Sequence, residues 1–155
     1  MTTSSDTKCV FVFDTETTGL LKNRPFIVSI AYQIYSKSES NVSLVHKGYH
    51  VIKPPTDTYE IPVEAIRVHN ITTKFARKYG ITYKSLAKEL HRVFTTYDIG
   101  TIVAHNMQFD MGVLSLNLNR IIRSSVGGDH NTDYITELLT ILGNSDFYCT
   151  QEEGK

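Results

Sequence analysis

The sequence predicts an α/β fold, a mixed sheet with helices packed against it. Three observations carry this. Residues 26–35 and 42–52 are long stretches rich in β-branched and aromatic residues, joined by the polar segment 36–41, which reads as a hairpin connection. A short apolar run, Cys9-Val10-Phe11-Val12-Phe13, precedes them. Helical periodicity follows, interrupted by a second short apolar run, Ile102-Val103-Ala104. The order gives three antiparallel strands first and a parallel strand added after the helices. The first run is the most uniformly apolar, so it is expected at the centre of the sheet and buried on both faces.

Residues 1–7 are polar and read as a flexible tail. Pro54-Pro55 ends the third strand, because proline cannot donate to a ladder. Pro62 suits the first turn of a short helix. Residues 71–79 read as a second helix, with Gly80 just past its end. Leu86, Leu90, Val93 and Phe94 fall at i, i+4, i+7 and i+8, an amphipathic helix with His91 on its polar side. Phe109, Val113, Leu114, Leu116, Leu118 and Ile121 cover a wide arc and predict a well-buried helix. Residues 124–131 form a Gly-Gly loop. Thr132 or Asp133 can cap a last helix through Ile135, Leu138, Leu139 and Leu142, ended by Gly143. Phe147-Tyr148-Cys149-Thr150 is strand-like. One domain over residues 1–155 is expected, without repeat or linker.

Composition is that of a globular chain, 41% hydrophobic and 21% charged, with no net charge and so no global attraction to nucleic acid or membrane. The charges are unevenly placed. Between Ile71 and Arg92 six basic residues stand against one acid; between Asp129 and Glu153 there are six acids and no Lys or Arg. The basic stretch suits phosphates or a solvated helix face. Two distant cysteines, Cys9 and Cys149, make no disulfide framework. The N-terminus lacks an apolar signal region, and no run reaches membrane-spanning length. The chain reads as intracellular and soluble, cytoplasmic or nuclear, with no membrane partner.

The chemistry is concentrated in Asp14-Thr15-Glu16-Thr17-Thr18-Gly19, at the end of the first strand. Side chains two apart on a strand point the same way, so Asp14 and Glu16 sit side by side and repel each other. A divalent cation with oxygen ligands, Mg²⁺ or Mn²⁺, is their natural partner. Gly19 would let the backbone turn tightly and leave room for a ligand. The alternative is an acidic, Thr-rich turn after a core strand. His46 and His50, four apart, could face one way as a metal pair or lie on a half-exposed edge strand.

These motifs carry a resemblance. Residues 14–20 are similar to the first motif of the DEDD-type 3′–5′ exonucleases, a proofreading-subunit-like family with a ribonuclease-H-like fold. Ala104-His105-Asn106 with Phe109-Asp110 resembles the second motif. Residues 61–72 resemble the segment linking the two, which usually has Gly where this chain has Asn70. The resemblance implies hydrolysis of phosphodiester bonds at single-stranded 3′ ends of DNA or RNA. Two divalent metals about 4 Å apart would stabilise both ends of an in-line attack. It implies Asp14, Glu16 and Asp110 as the metal-holding catalytic carboxylates, Leu20 packed on the terminal base, and Thr17 and Asn106 holding the 3′ end. Their structural alternatives are a core contact for Leu20, a turn residue for Thr17 and a cap for Asn106.

The family's third motif, a His five residues before an Asp that supplies the general base and the fourth metal ligand, is missing. Only His105 and Asp110 have that spacing, and they lie in the second motif. The fold is therefore expected to be C-terminally incomplete, with a weakened second metal site. The chain reads as a fragment, a split protein completed by a second chain, or a degenerate relative. The alternative to an enzyme is a non-catalytic nucleic-acid-binding or interaction module on the same scaffold.

Overall fold

The computed structural model describes residues 8–124 and 131–153. The flexible tail expected at residues 1–7 and most of the loop expected at 124–131 lie outside the described residues. Five strands form one sheet: β1 (Cys9–Thr17), β2 (Ile27–Lys37), β3 (Val42–Val51), β4 (Ile99–Ala104) and β5 (Asp146–Cys149). Their order is β3-β2-β1-β4-β5, so the first apolar run is indeed central. β1 pairs antiparallel with β2, Phe11 facing Ile34, and parallel with β4, Val12 beside Val103. β2 and β3 are antiparallel; β5 adds a second parallel strand beyond β4.

Six helices accompany the sheet among the described residues: α1 (Val63–His69), α2 (Thr73–Tyr79), α3 (Tyr83–Thr96), α4 (Met107–Ser124), α5 (Asp133–Gly143) and α6 (Thr150–Glu153). Phe11 is fully buried, its ring 5.2 Å from Tyr32, 4.8 Å from Phe94 and 5.6 Å from Phe13. Leu86, Leu90, Val93, Leu114, Leu118, Ile135 and Leu138 close over these rings from α3, α4 and α5. A smaller cluster, Val28, Val51, Ile61, Ile71 and Ala76, anchors α1 and α2 at one end of β2 and β3.

One expectation is overturned here. β1 is not buried on both faces: Cys9, Phe11, Phe13 and Thr15 are buried, Val10 and Val12 are half-buried, and Asp14 is exposed. The long helices pack beneath one set of alternate residues. The other set lines an open groove of about 660 Å³ with Ala31, Gln33, Tyr49 and Val103. An apolar run can thus serve a one-sided sheet when its outward positions are β-branched.

Local details follow the backbone. Thr72 and Thr82 cap α2 and α3, their hydroxyls accepting from the N–H of Phe75 and Ser85, each at 3.1 Å. Thr132 precedes α5, but its side chain makes no capping bond. Asn70 ends α1 in the left-handed region, φ 62°, which explains an Asn where the resembled family has Gly. Gly80 differs from expectation: its φ is −73°, so no left-handed cap requires it. A Cβ there would fall 2.4 Å from the Ala76 carbonyl oxygen and 2.6 Å from the Lys53 nitrogen, so close backbone approach is the reason for glycine. His46 and His50 lie half-buried on the edge strand β3. His50 pairs with Glu89 of α3, and the His46 ring stacks on Tyr97 at 5.7 Å. No described helix is long and apolar enough to cross a membrane.

Candidate active site

Asp14 and Glu16 reach one side of β1 at its C-terminal end, and Thr15 between them turns into the covered side. That intervening Thr recruits the third carboxylate. Asp110, 3% exposed in the first turn of α4, accepts the Thr15 hydroxyl at 2.6 Å and the Thr15 N–H at 3.2 Å. Hydrogen bonds to a carboxylate are among the stronger ones, and these two join residues 95 positions apart. Asp110 N–H in turn donates to the Asn106 carbonyl at 2.9 Å, seating it in the first turn.

Glu16 and Asp110 each feel the neighbouring acids. Burial, then the charges of Asp14 and Asp110, push the Glu16 carboxyl above its ordinary range. Burial, with the Asp14 charge added, does the same to Asp110, against the lowering effect of the Thr15 hydroxyl and the N–H groups. Mutual repulsion among hard oxygen donors is what a divalent cation relieves, so the donor set fits Mg²⁺ or Mn²⁺ in kind. As placed, no group of three His, Cys, Asp or Glu side chains among the described residues is arranged to hold an ion in common. Asp110 is held toward Thr15, while Asp14 is open to solvent.

Beside the acids lies a cleft of about 350 Å³, lined by Glu16, Leu20, Glu64, Val68, His69 and Phe109 among others. Leu20 is 61% exposed, which excludes the core-contact alternative. Thr17 does what a turn residue does: its hydroxyl donates to the Gly19 carbonyl at 2.8 Å. Gly19 itself needs no unusual φ, and a Cβ there would meet nothing closer than 3.9 Å, so its expected tight turn is not what selects glycine. Asn106 caps α4, its Oδ1 accepting the Phe109 N–H at 3.4 Å, and stays exposed.

Sequence reasoning gave no role to Val68 or His69. Val68 is 77% exposed, an apolar side chain that lines the cleft together with Leu20. His69 is half-buried; its Nδ1 accepts the Ile71 N–H at 3.0 Å, and burial holds its pKa below the usual range despite the nearby Thr17 backbone. No local signal marked Val68, because an apolar residue in a short helix reads as a core contact until the fold shows it exposed. His105 and Asp110, whose spacing mimics the missing motif, have separate partners. His105 Nδ1 lies 2.9 Å from the Thr150 hydroxyl on the open groove, and Asp110 is buried against Thr15.

A mixed sheet in the order β3-β2-β1-β4-β5 with helices packed on it is the ribonuclease-H-like arrangement, the fold of the exonucleases. The chain belongs to the exonuclease family: the RNase_T family model, described as Exonuclease, matches residues 11–144. Among solved structures it is similar to product-bound exonuclease I, with a TM-score of 0.70 and 20% identity, covering 96% of this chain and 31% of that one. It is also similar to E. coli exonuclease I in complex with a dT13 oligonucleotide, TM-score 0.66 and 21% identity, covering 92% of this chain and 28% of that one. The zinc-bound form of the E. coli ExoI–ssDNA complex gives 0.67 and 20%, covering 93% and 28%. At such identity the likeness is one of fold, and this chain spans about three-tenths of those proteins' length. No curated protein matches the sequence.

Proposed function

We propose that this chain is a metal-dependent 3′–5′ exonuclease that hydrolyses phosphodiester bonds at single-stranded 3′ ends. The observation that supports it most is the tether of Asp110 on α4 to Thr15, the residue between Asp14 and Glu16 on β1, with the Glu16 and Asp110 carboxyls raised in pKa by burial and neighbouring charge. Carboxylates with perturbed pKa values beside an open cleft are functional-site candidates. Asp14, Glu16 and Asp110 would hold the cations, which when bound would supply a lowered water pKa and stabilisation of the developing charge. Thr15 fixes one Asp110 oxygen and so orients the other. Leu20 and Val68 offer the terminal base two apolar surfaces. Thr17 shapes the loop that carries Leu20, and Asn106, with Oδ1 engaged in capping, would reach the substrate backbone through its amide nitrogen. The ssDNA complexes of exonuclease I support DNA as the first substrate to test.

A second reading, a non-catalytic nucleic-acid-binding module, is favoured by the absence of a closed three-ligand group among the described residues. The test is a 5′-labelled single-stranded oligonucleotide incubated with the chain and Mn²⁺ or Mg²⁺. Shortening from the 3′ end is expected, and Asp14→Asn should slow it on the order of 100-fold or more, the several kcal/mol of metal-assisted charge stabilisation. Turnover should be weak. A segment supplying a His and an Asp, in cis or from a second chain, is expected to raise it about 10²–10⁴-fold, the contribution of a positioned base. Oligonucleotide binding with no shortening under any of these conditions would select the second reading.

A further inference from the structure

The outward face of α2 carries two large aromatic rings in solvent. Phe75 is 45% exposed and Tyr79 59%, although neither is needed to close the core. They stand one helical turn apart, ring centroids 4.8 Å from each other and planes at 45°, so they form one continuous aromatic surface. The opposite face of the helix, Thr73 and Ala76, is buried, which fixes the direction in which the rings point. Cations flank them. Lys74 and Lys78 are exposed on the same outward face, and the Lys78 ammonium lies 5.2 Å from the Tyr79 ring centroid. Arg77 completes the set, one guanidinium nitrogen donating to the Tyr59 carbonyl at 2.8 Å and pairing with Glu60 at 3.2 Å. The basic stretch noted in the sequence thus has a structural counterpart beginning at this helix.

We propose that Phe75, Tyr79, Lys74 and Lys78 form a platform for single-stranded nucleic acid outside the cleft. Exposed rings offer a stacking surface that accepts any base, and flanking ammonium groups neutralise phosphates, the combination by which sequence-tolerant single-strand sites work. A protein partner fits less well, since protein interfaces are depleted in lysine. The position also suits a strand whose end lies in the cleft. Val68 lines the cleft, and Phe75 is seven residues further on, so the two cannot be more than about 25 Å apart. The platform rests on the nuclease reading only for its use, not for its binding.

The test uses the full 155-residue chain with Asp14→Asn, so that no substrate is consumed, and fluorescence anisotropy with labelled oligo(dT). Phe75→Ser with Tyr79→Ser should weaken binding of a dodecamer about 10- to 100-fold, the worth of a lost base–aromatic stack converted to affinity, while a dinucleotide in the cleft is unaffected. Lys74→Gln with Lys78→Gln should lower the salt slope of dodecamer binding by about 1.4, two phosphate contacts at roughly 0.7 each. All four positions are on the surface, and circular dichroism should show native folding. Unchanged dodecamer binding in the Phe75 and Tyr79 double variant would overturn the platform, and would assign the patch to protein contacts if sedimentation showed a self-association that the variant loses. The two readings fail separately: retained dodecamer binding without hydrolysis by the unsubstituted chain removes the nuclease reading alone, and intact hydrolysis with silent platform variants removes the platform alone.

Discussion

The two faces of the sheet use the same strands for different ends. On one, Phe11, Phe13, Tyr32, Ile34 and Ile102 disappear beneath α3, α4 and α5. On the other, Val12, Ala31, Gln33 and Val103 line an open groove that runs up to Asp14. The site lies at the seam between them. Asp14 and Glu16 emerge on the open side, and Asp110 is delivered from the covered side through Thr15. Stability and chemistry are thus separated by a single residue step along β1. Rigid packing beneath holds Thr15 and Asp110, while on the open side Thr150 of α6 is the only described helical residue that lines the groove, which leaves it open.

The covered face should dominate folding. Phe11→Ala removes a fully buried ring packed against three others and is expected to cost about 3–5 kcal/mol in denaturant unfolding. A loss below about 1 kcal/mol would mean that the two faces are energetically alike, and the contrast drawn here would fail.

That contrast was only partly legible in the sequence. The central position of β1 followed from its uniform apolarity, and Asp14 and Glu16 from the two-residue period. The one-sidedness of the sheet did not, because Val10 and Val12 are as apolar as the residues beneath them; burial there depends on where helices land, which no local pattern encodes. Asp110 was reached through the family motif. Its actual tether, Thr15, looked like a filler between two acids, and a contact across 95 residues has no sequence period. Val68 and the Phe75–Tyr79 pair escaped notice because an exposed apolar side chain looks like a core residue until the fold turns it outward.

The seam should respond to pH. Glu16 and Asp110 both have folded-state pKa values raised, by burial first. The folded protein therefore keeps protons that the unfolded chain has already released. Their contribution to stability is greatest below the ordinary carboxylate pKa of about 4 and is lost as pH rises toward the raised folded values. Glu16→Gln or Asp110→Asn should raise the melting temperature at neutral pH, leave it unchanged near pH 3, and flatten the slope between. Saturating Mn²⁺ should reduce the difference in the unsubstituted protein, since a cation relieves the same repulsion. Identical melting profiles for Glu16→Gln and the unsubstituted chain across that range would show that neither burial nor the neighbouring acids raise the Glu16 carboxyl.

The smallest effect belongs to the open face, and it tests that face most sharply. Val12 is half-buried, directly beside the fully buried Phe11 and paired with the equally half-buried Val103. Val12→Thr keeps the β-branch and so the strand preference, and adds only a hydroxyl that solvent in the groove can satisfy. The expected change is within about 0.5 kcal/mol, the usual range for substitutions away from packed sites. A cost of 2 kcal/mol or more would mean that Val12 is dry in solution. Self-association across the groove would then be the first suspect, and it would show as a melting temperature that rises with protein concentration for the unsubstituted chain and not for Val12→Thr. If the small value holds and the melting temperature is independent of concentration, the groove is open to solvent up to Asp14, as the proposed exonuclease reading requires.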